Sequence, residues 1–286
     1  MKHLRNLDDF SKDELNDIID RAIDIKEEPE KYYEILKNKT LAMLFQKTST
    51  RTRMSFEAGM TQLGGHAIFL DWKTTNLTLG SLKDEIKCIA RYSDIIMARV
   101  FAHKDIETIA EASSVPIING LSDDYHPCQA IADLMTIKEK FKKFKGVKLA
   151  YVGDGNNVCN SLILACGKLG VELRVATPKG YGPKEKGVKV VSDPKVAVKG
   201  AHVVYTDTWV SMGQEKEKAK RVKAFKGFIV DKKLLGKALF MHCLPAHRGY
   251  EVSDDVIDSK QSIVFDQAEN RMHAQKAIIL KLLGKV

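Results

Sequence analysis

Short apolar, β-branched runs alternate along almost the whole chain with longer segments whose apolar positions recur every three to four residues. Such alternation is the pattern of parallel strands connected by crossover helices. LAMLFQ (41–46), HAIFLD (66–71), DIIMARV (94–100) and VPIINGL (115–121) read as a first set of strands. Between them, TRTRMSFEAGMTQLG places Phe56, Met60 and Leu63 on one helical face. SLKDEIKCIARY repeats that spacing with Leu82, Ile86 and Ile89, and KDIETIAEAS supplies a third helix. KLAYV (148–152), ELRVATP (172–178), AHVVYTD (201–207), LFMHCLP (239–245) and SIVFD (262–266) read as a second set of strands, with NVCNSLILACGKLG among the intervening helices.

Two segments connect these sets. HPCQAIADLMTIKEKF carries Ala130, Leu134, Ile137 and Phe141 on one face, and AENRMHAQKAIILKLLG closes the chain with a similar apolar stripe. The expected fold is therefore α/β, with two domains, each a central, mostly parallel sheet flanked by helices, joined by two bridging helices. The expected boundaries are 1–132 and 133–270, with a terminal helix over 271–286 packing back on the N-terminal domain. No internal repeat is present in the sequence.

Length agrees with this division, since 286 residues are enough for two ordinary cores. A hydrophobic content of 44% and a charged content of 29% are those of a globular protein, and no apolar run approaches the roughly 20 residues of a membrane helix. The N-terminal MKHLRNLDDFSKDELNDIIDRAI mixes both charge signs without an apolar secretory core, so a cytoplasmic location is expected. Five scattered cysteines without a C-x-x-C pair argue for reduced thiols over disulfides or a thiolate zinc site.

The net charge of +9 suits either nucleic acid or a small anionic substrate. Glutamates interrupt the lysines of KEKFKKFKGVK (138–148) and EKEKAKRVKAFKG (215–227), which therefore read as solvated helical faces. No nucleic-acid partner and no membrane are expected.

Polar chemistry collects where the strands end, which is where parallel α/β sheets bind ligands. KTSTRTR (47–53) places Ser49, Thr50, Arg51 and Thr52 at the start of a helix, whose free N–H groups and dipole attract an anion. Arg51 adds a bidentate fork for phosphate oxygens. Arg99 ends a strand, while His126 and Gln129 open the first bridging helix. GDGNN (153–157) is half of a dinucleotide fingerprint, but Val158 replaces the third glycine and ATPK offers no acidic ribose partner. Its asparagines suit an amino-acid head group better than a nucleotide. DTWVSMG (207–213) and HCLPAHRG (242–249) follow two further strands. For Cys243 three readings stand: a structural thiol, a polar contact or a nucleophile.

In their order and spacing, STRTR, HPCQ, GDGNN, DTWVSMG, HCLPAHRG and AENR closely resemble the ornithine carbamoyltransferases over essentially the whole chain. The resemblance implies transfer of the carbamoyl group of carbamoyl phosphate to the δ-amine of L-ornithine, giving L-citrulline and phosphate without cofactor or metal. It implies that Ser49, Thr50, Arg51 and Thr52 hold the phosphate, and that Thr52, Arg99 and His126 polarise the carbamoyl oxygen. Gln129, the backbone at Cys243 and Leu244, and Arg271 are implied to position the carbamoyl amide and phosphate. Asn157, Asp207, Ser211 and Met212 are implied to bind ornithine, with Asp207 and Cys243 close to the attacking amine. Arg51, Arg99, His126, Asp207, Cys243 and Arg271 are implied by the resemblance to form the catalytic set, and Leu244-Pro245 resembles the family's cis peptide.

The resemblance also implies a homotrimer or an assembly of trimers. In family trimers a loop reaches a neighbour's site, and DWKTTNLTLGS offers Lys73 or Asn76 there. Carbamoyltransferases acting on N-acetylornithine, putrescine or aspartate are the alternatives. Asp207 with the SMG loop favours a free α-amino acid, and the δ-amine must react unprotonated, so activity is expected to rise toward alkaline pH.

Overall fold

In a computed structural model, residues 1–285 form two compact units, Met1–Met135 with the segment from Asn270 onward, and Thr136–Glu269. The divisions fall inside two helices, α5 (Pro127–Phe141) and α11 (Val264–Leu282).

The first unit starts with α1 (Lys12–Glu27), not among the helices expected from sequence although Ser11 and Glu14 form a reciprocal capping box at its start. Its sheet comprises β1 (Thr40–Phe45), β2 (His66–Asp71), β3 (Ile95–Arg99) and β4 (Ile117–Leu121), all parallel in the order β2-β1-β3-β4. Helices α2 (Thr50–Gln62), α3 (Leu82–Tyr92) and α4 (His103–Ala112) make the connections. Leu44, Ile86, Ile96, Ile106 and Ile109 belong to one buried cluster, which gives the period-2 and period-3.6 patterns a common core. The final helix is tied into this unit where Lys276 donates to Gln62, Lys281 meets Asp17 at 2.8 Å and Gly59 lies against Met272 and Lys276.

The second unit holds β5 (Lys148–Val152), β6 (Glu172–Ala176), β7 (Lys189–Val191), β8 (Val203–Thr206) and β9 (Leu239–His242), parallel in the order β7-β6-β5-β8-β9. Around it run α6 (Asn157–Leu169), α7 (Pro194–Val198), α8 (Lys218–Ala224), α9 (Lys232–Leu235) and α10 (Asp254–Ile257). Val152, Val204, Phe225, Phe240 and Val256 share its core.

Two elements differ from the sequence reading. SIVFD is not a strand: Ser262 makes only an isolated bridge to Phe240, and Val264 already opens α11. Ile263 and Val264 are buried in succession, which breaks the period of two that a strand would show, and Gln267 N–H bonding Ile263 O begins the helical pattern instead. The short edge strand β7 lies in GVKVV, where lysines mask the apolar signal.

The strand orders fix where ligands can enter. The first sheet reverses direction between β1 and β3, the second between β5 and β8, and crevices beyond the carboxyl ends of strands at such points are the binding sites of open α/β sheets.

Candidate active site

In the first unit, Phe45 pairs with Arg99 in the β1–β3 register, so the chain leaving β1 and the last residue of β3 emerge together at the reversal point. Ser49 caps α2, its Oγ accepting the Thr52 N–H at 3.2 Å, and no acidic residue occupies the helix's first turn. That leaves the N-terminal dipole uncompensated and open to an anion. Thr52 Oγ1 accepts from Ser49 Oγ at 3.0 Å and from Arg271 Nη2 at 2.9 Å. With both lone pairs engaged, the buried Thr52 hydroxyl has its own hydrogen left to donate. Thr50 is exposed at the start of the helix, and Arg53 turns away to Glu57 and lies over the Phe69 ring at 3.9 Å.

His126, just before α5, is buried, and its pKa is held well below the usual histidine value, first by desolvation and then by the charges of Arg271, Arg99, Arg51 and Lys47. The same field locates four cations around one neutral imidazole, which offers an N–H donor without a second positive charge. Gln129 is fully buried; its amide donates to Asp133 at 2.8 Å, and its Oε1 makes no hydrogen bond within the described residues, leaving an acceptor for a ligand N–H. Lys47 is buried, ion-paired with Asp123 and 4.4 Å from the Phe101 ring centroid. Its role there is to contribute to the field. Burial pushes the Cys128 thiol up to about 12, which removes it as a nucleophile.

In the second unit, β5 ends in GDGNN at the other reversal point. A Cβ on Gly155 would come closer than 3.0 Å to the backbone of Gly182 and Pro183, while Gly155 N–H bonds Tyr181 O at 2.8 Å. This glycine admits a neighbouring loop of the same unit, a structural reason for the half-fingerprint. Asn156 then caps α6: its Oδ1 accepts from Val158 N and Cys159 N, and its Nδ2 donates to Asp207 Oδ2 at 2.7 Å. Asp207 Oδ1 accepts from Thr208 N at 2.8 Å and Cys243 Sγ at 3.0 Å. The carboxylate that ends β8 is thus oriented by three donors.

The sequence reading singled out Asn157, the first residue of α6; the structure adds a role for the preceding Asn156, which touches Asp207. Only the N-cap preference for asparagine distinguished the two. Ser211 is half-buried, its N–H held by Gln214 Oε1 at 3.1 Å, and Met212 is 45% exposed. Arg221 is a second feature that the sequence did not single out. It bonds Asp154 Oδ2 at 2.9 Å, Trp209 O at 3.1 Å and Glu217 at 3.1 Å, tying both ends of the 209–217 segment to the turn after β5. Burial pushes Asp154 up to about 6 in spite of that guanidinium.

Past β9, the Leu244-Pro245 peptide is cis. One donor atom each of Asp207, His242 and Cys243 lies within 4.8 Å of the others, a spacing that could hold a metal ion. Their hydrogen bonds already engage them: His242 Nδ1 accepts from Leu244 N at 2.8 Å and Asp207 takes its three donors. This trio fits an orienting cluster better than a ligand set with free lone pairs.

No helix among the described residues is long and apolar enough to cross a membrane. Residues 2–139 match the carbamoyl-P binding domain of aspartate/ornithine carbamoyltransferases, and residues 145–282 match their Asp/Orn binding domain. The chain is 53% identical to an ornithine carbamoyltransferase of Archaeoglobus fulgidus, over 100% of this chain and 98% of the relative. It is 50% identical to an anabolic ornithine carbamoyltransferase of Pyrococcus furiosus, over 98% of this chain and 96% of that protein. The solved P. furiosus ornithine carbamoyltransferase superposes with a TM-score of 0.94 at 49% identity, covering 100% of this chain and 98% of that one. That of Thermus thermophilus gives 0.92 at 43% identity, covering 99% of each. With both units matched and relatives of this identity spanning its length, the chain belongs to the aspartate/ornithine carbamoyltransferase family.

Proposed function

We propose that the protein transfers the carbamoyl group of carbamoyl phosphate to the δ-amine of L-ornithine, releasing L-citrulline and phosphate. The first unit takes carbamoyl phosphate: Ser49, Thr50, Arg51, Thr52 and Arg271 receive the phosphate, and Thr52, Arg99 and His126 donate to the carbamoyl oxygen. Gln129 Oε1 and the backbone at Cys243 and Leu244 receive the carbamoyl amide. Asn157, Asp207, Ser211 and Met212 receive ornithine in the second unit.

The reaction makes one C–N bond and breaks the bond from the carbamoyl carbon to the bridging phosphate oxygen. The neutral δ-amine attacks, charge gathers on the carbamoyl oxygen, and prepositioned donors stabilise it. The departing phosphate takes the amine's proton, so the side chains supply orientation and charge stabilisation without a strong base. A neutral His126 fits this role, since it can donate one N–H among cations.

The observation that carries the choice of acceptor is the hydrogen-bonded Asp207 carboxylate in the second unit. A carboxylate there favours a cationic diamino acid and disfavours a dicarboxylate such as aspartate. The discriminating experiment measures carbamoyl transfer to ornithine, N-acetylornithine, putrescine, lysine and aspartate, with Arg51→Ala as control. Citrulline from ornithine, abolished in the variant, supports the reading; turnover of another amine instead overturns the choice of acceptor.

The reading includes a cytoplasmic, biosynthetic enzyme that works as a homotrimer. Support for self-association comes from the edge strand β2 and its surroundings, where Ile68, Met54 and Leu79 are 40%, 60% and 81% exposed. A sedimentation experiment giving monomer at micromolar concentration would remove that part.

A further inference from the structure

Leu244 has φ 56°, in the left-handed region that a γ-branched residue occupies only when its surroundings hold it there. The holder is visible one turn of chain earlier. Leu244 N–H donates to His242 Nδ1 at 2.8 Å. A peptide N–H can only donate, so Nδ1 must carry a lone pair; the ring is neutral and its hydrogen sits on Nε2. Nε2 lies 3.3 Å from Glu251 Oε1, which accepts that hydrogen.

Glu251 is 1% exposed, and the same oxygen also accepts the His247 N–H. Its own backbone is fixed, since Glu251 O accepts from Val230 N at 2.9 Å. A buried carboxylate therefore spans the HCLPAHRGY segment from its first residue to its end, and it does so through a fully buried histidine. Neither side chain has a part in the chemistry described above.

We propose that His242 and Glu251 are positioning residues for the carbamoyl-amide contact. Glu251 fixes the Nε2–H tautomer of His242, the resulting Nδ1 lone pair holds Leu244 N–H, and that bond sets the direction of the peptide groups at Cys243 and Leu244. This inference rests on the reaction proposed above. It goes beyond that reading by assigning the loop's geometry to two side chains that contact neither substrate.

The two nitrogens of the ring can be tested separately. His242→Asn keeps an acceptor close to the Nδ1 position but cannot reach Glu251, whereas His242→Gln reaches Glu251 with an amide N–H and offers nothing to Leu244. Misdirected reacting groups cost on the order of a hundredfold for an ångström of displacement. His242→Gln is therefore expected to lose about that factor in kcat, with KM for ornithine within about threefold. His242→Asn is expected to retain clearly more activity than His242→Gln, and Glu251→Gln, which keeps an acceptor oxygen, more still.

Equal activity of the Asn and Gln variants, or near-wild-type kcat in His242→Gln, overturns the proposal. A measurement free of folding effects completes it: ¹⁵N-histidine spectra of the unaltered protein at pH 7 should show His242 as the Nε2–H tautomer. An Nδ1–H tautomer or an imidazolium overturns it equally. Failure of the underlying reaction would be seen separately, as absence of citrulline from the wild-type protein.

Discussion

Asn156 does two jobs with the two ends of one amide, and a single substitution separates them. Its Oδ1 caps α6, and its Nδ2 donates to buried Asp207 at 2.7 Å. Serine caps helices about as well as asparagine but is too short to reach the carboxylate. In Asn156→Ser the cap persists and Asp207 keeps only Thr208 N and Cys243 Sγ. A hydrogen bond to a charged group contributes about 1.5–3 kcal/mol. At about 1.4 kcal/mol per factor of ten, kcat/KM for ornithine should fall about 10- to 150-fold. KM for carbamoyl phosphate serves as the internal control and should stay unchanged. Asn156→Ala removes the cap as well and should lie about 1 kcal/mol below Asn156→Ser in urea denaturation. If Asn156→Ser retains wild-type kcat/KM for ornithine, or loses affinity for carbamoyl phosphate instead, Asn156 does not orient Asp207.

Three further outcomes follow from the geometry. Gly155→Ala drives a Cβ into the backbone of Gly182 and Pro183, which has no flexible end to move aside, so thermal denaturation should show a loss of about 3 kcal/mol or more. Asp154 titrates near 6 in the folded state against an ordinary value of 3.8. Folding therefore favours its protonated form, and its contribution to stability falls as pH rises from about 4 to about 6; denaturation of wild type and Asp154→Asn across that range should show a pH-dependent difference of up to about 3 kcal/mol that levels off above it. Lys276 is buried with an amide as its partner, and desolvation lowers its pKa. Lys276→Met should stabilise the protein by about 1 kcal/mol at pH 7, an advantage that shrinks as pH rises toward 10.5; equal or lower stability at pH 7 would count against a desolvation cost.

The sequence made legible those features whose cause is local. KTSTRTR reads as the start of a helix after a strand, and Ser49 does cap α2. Alternation of strands and helices gave the parallel sheets, whereas the strand orders and their two reversal points came only from the structure. What stayed hidden depends on side chains that meet only after folding. Arg221 reaches Asp154 across 67 positions, and Arg271 reaches Thr52 across 219. The latter was available only through resemblance to the family. Asn156 and Asn157 differ by one place at a helix start, where the N-cap turns back to its own backbone and the next residue enters the helix. SIVFD failed as a strand because composition cannot distinguish a short apolar run in a sheet from the buried first turn of a helix.

On the proposed chemistry, the distribution of charge between the units also has a reason. Carbamoyl phosphate brings both the activated carbon and the acceptor for the amine's proton, so a basic side chain would add little. Burial first, and then the charges of Arg271, Arg99, Arg51 and Lys47, hold His126 neutral, which on this chemistry leaves its N–H for the carbamoyl oxygen. The ornithine side faces the opposite demand. Its reactive nitrogen must be neutral, so a carboxylate that paired with the δ-amine as an ammonium would hold back the reaction. Asp207 avoids presenting a bare charge by spending three hydrogen bonds on Asn156, Thr208 and Cys243. A carboxylate so held keeps a fixed direction toward an amino acid, which is why its donors matter as much as the acid itself.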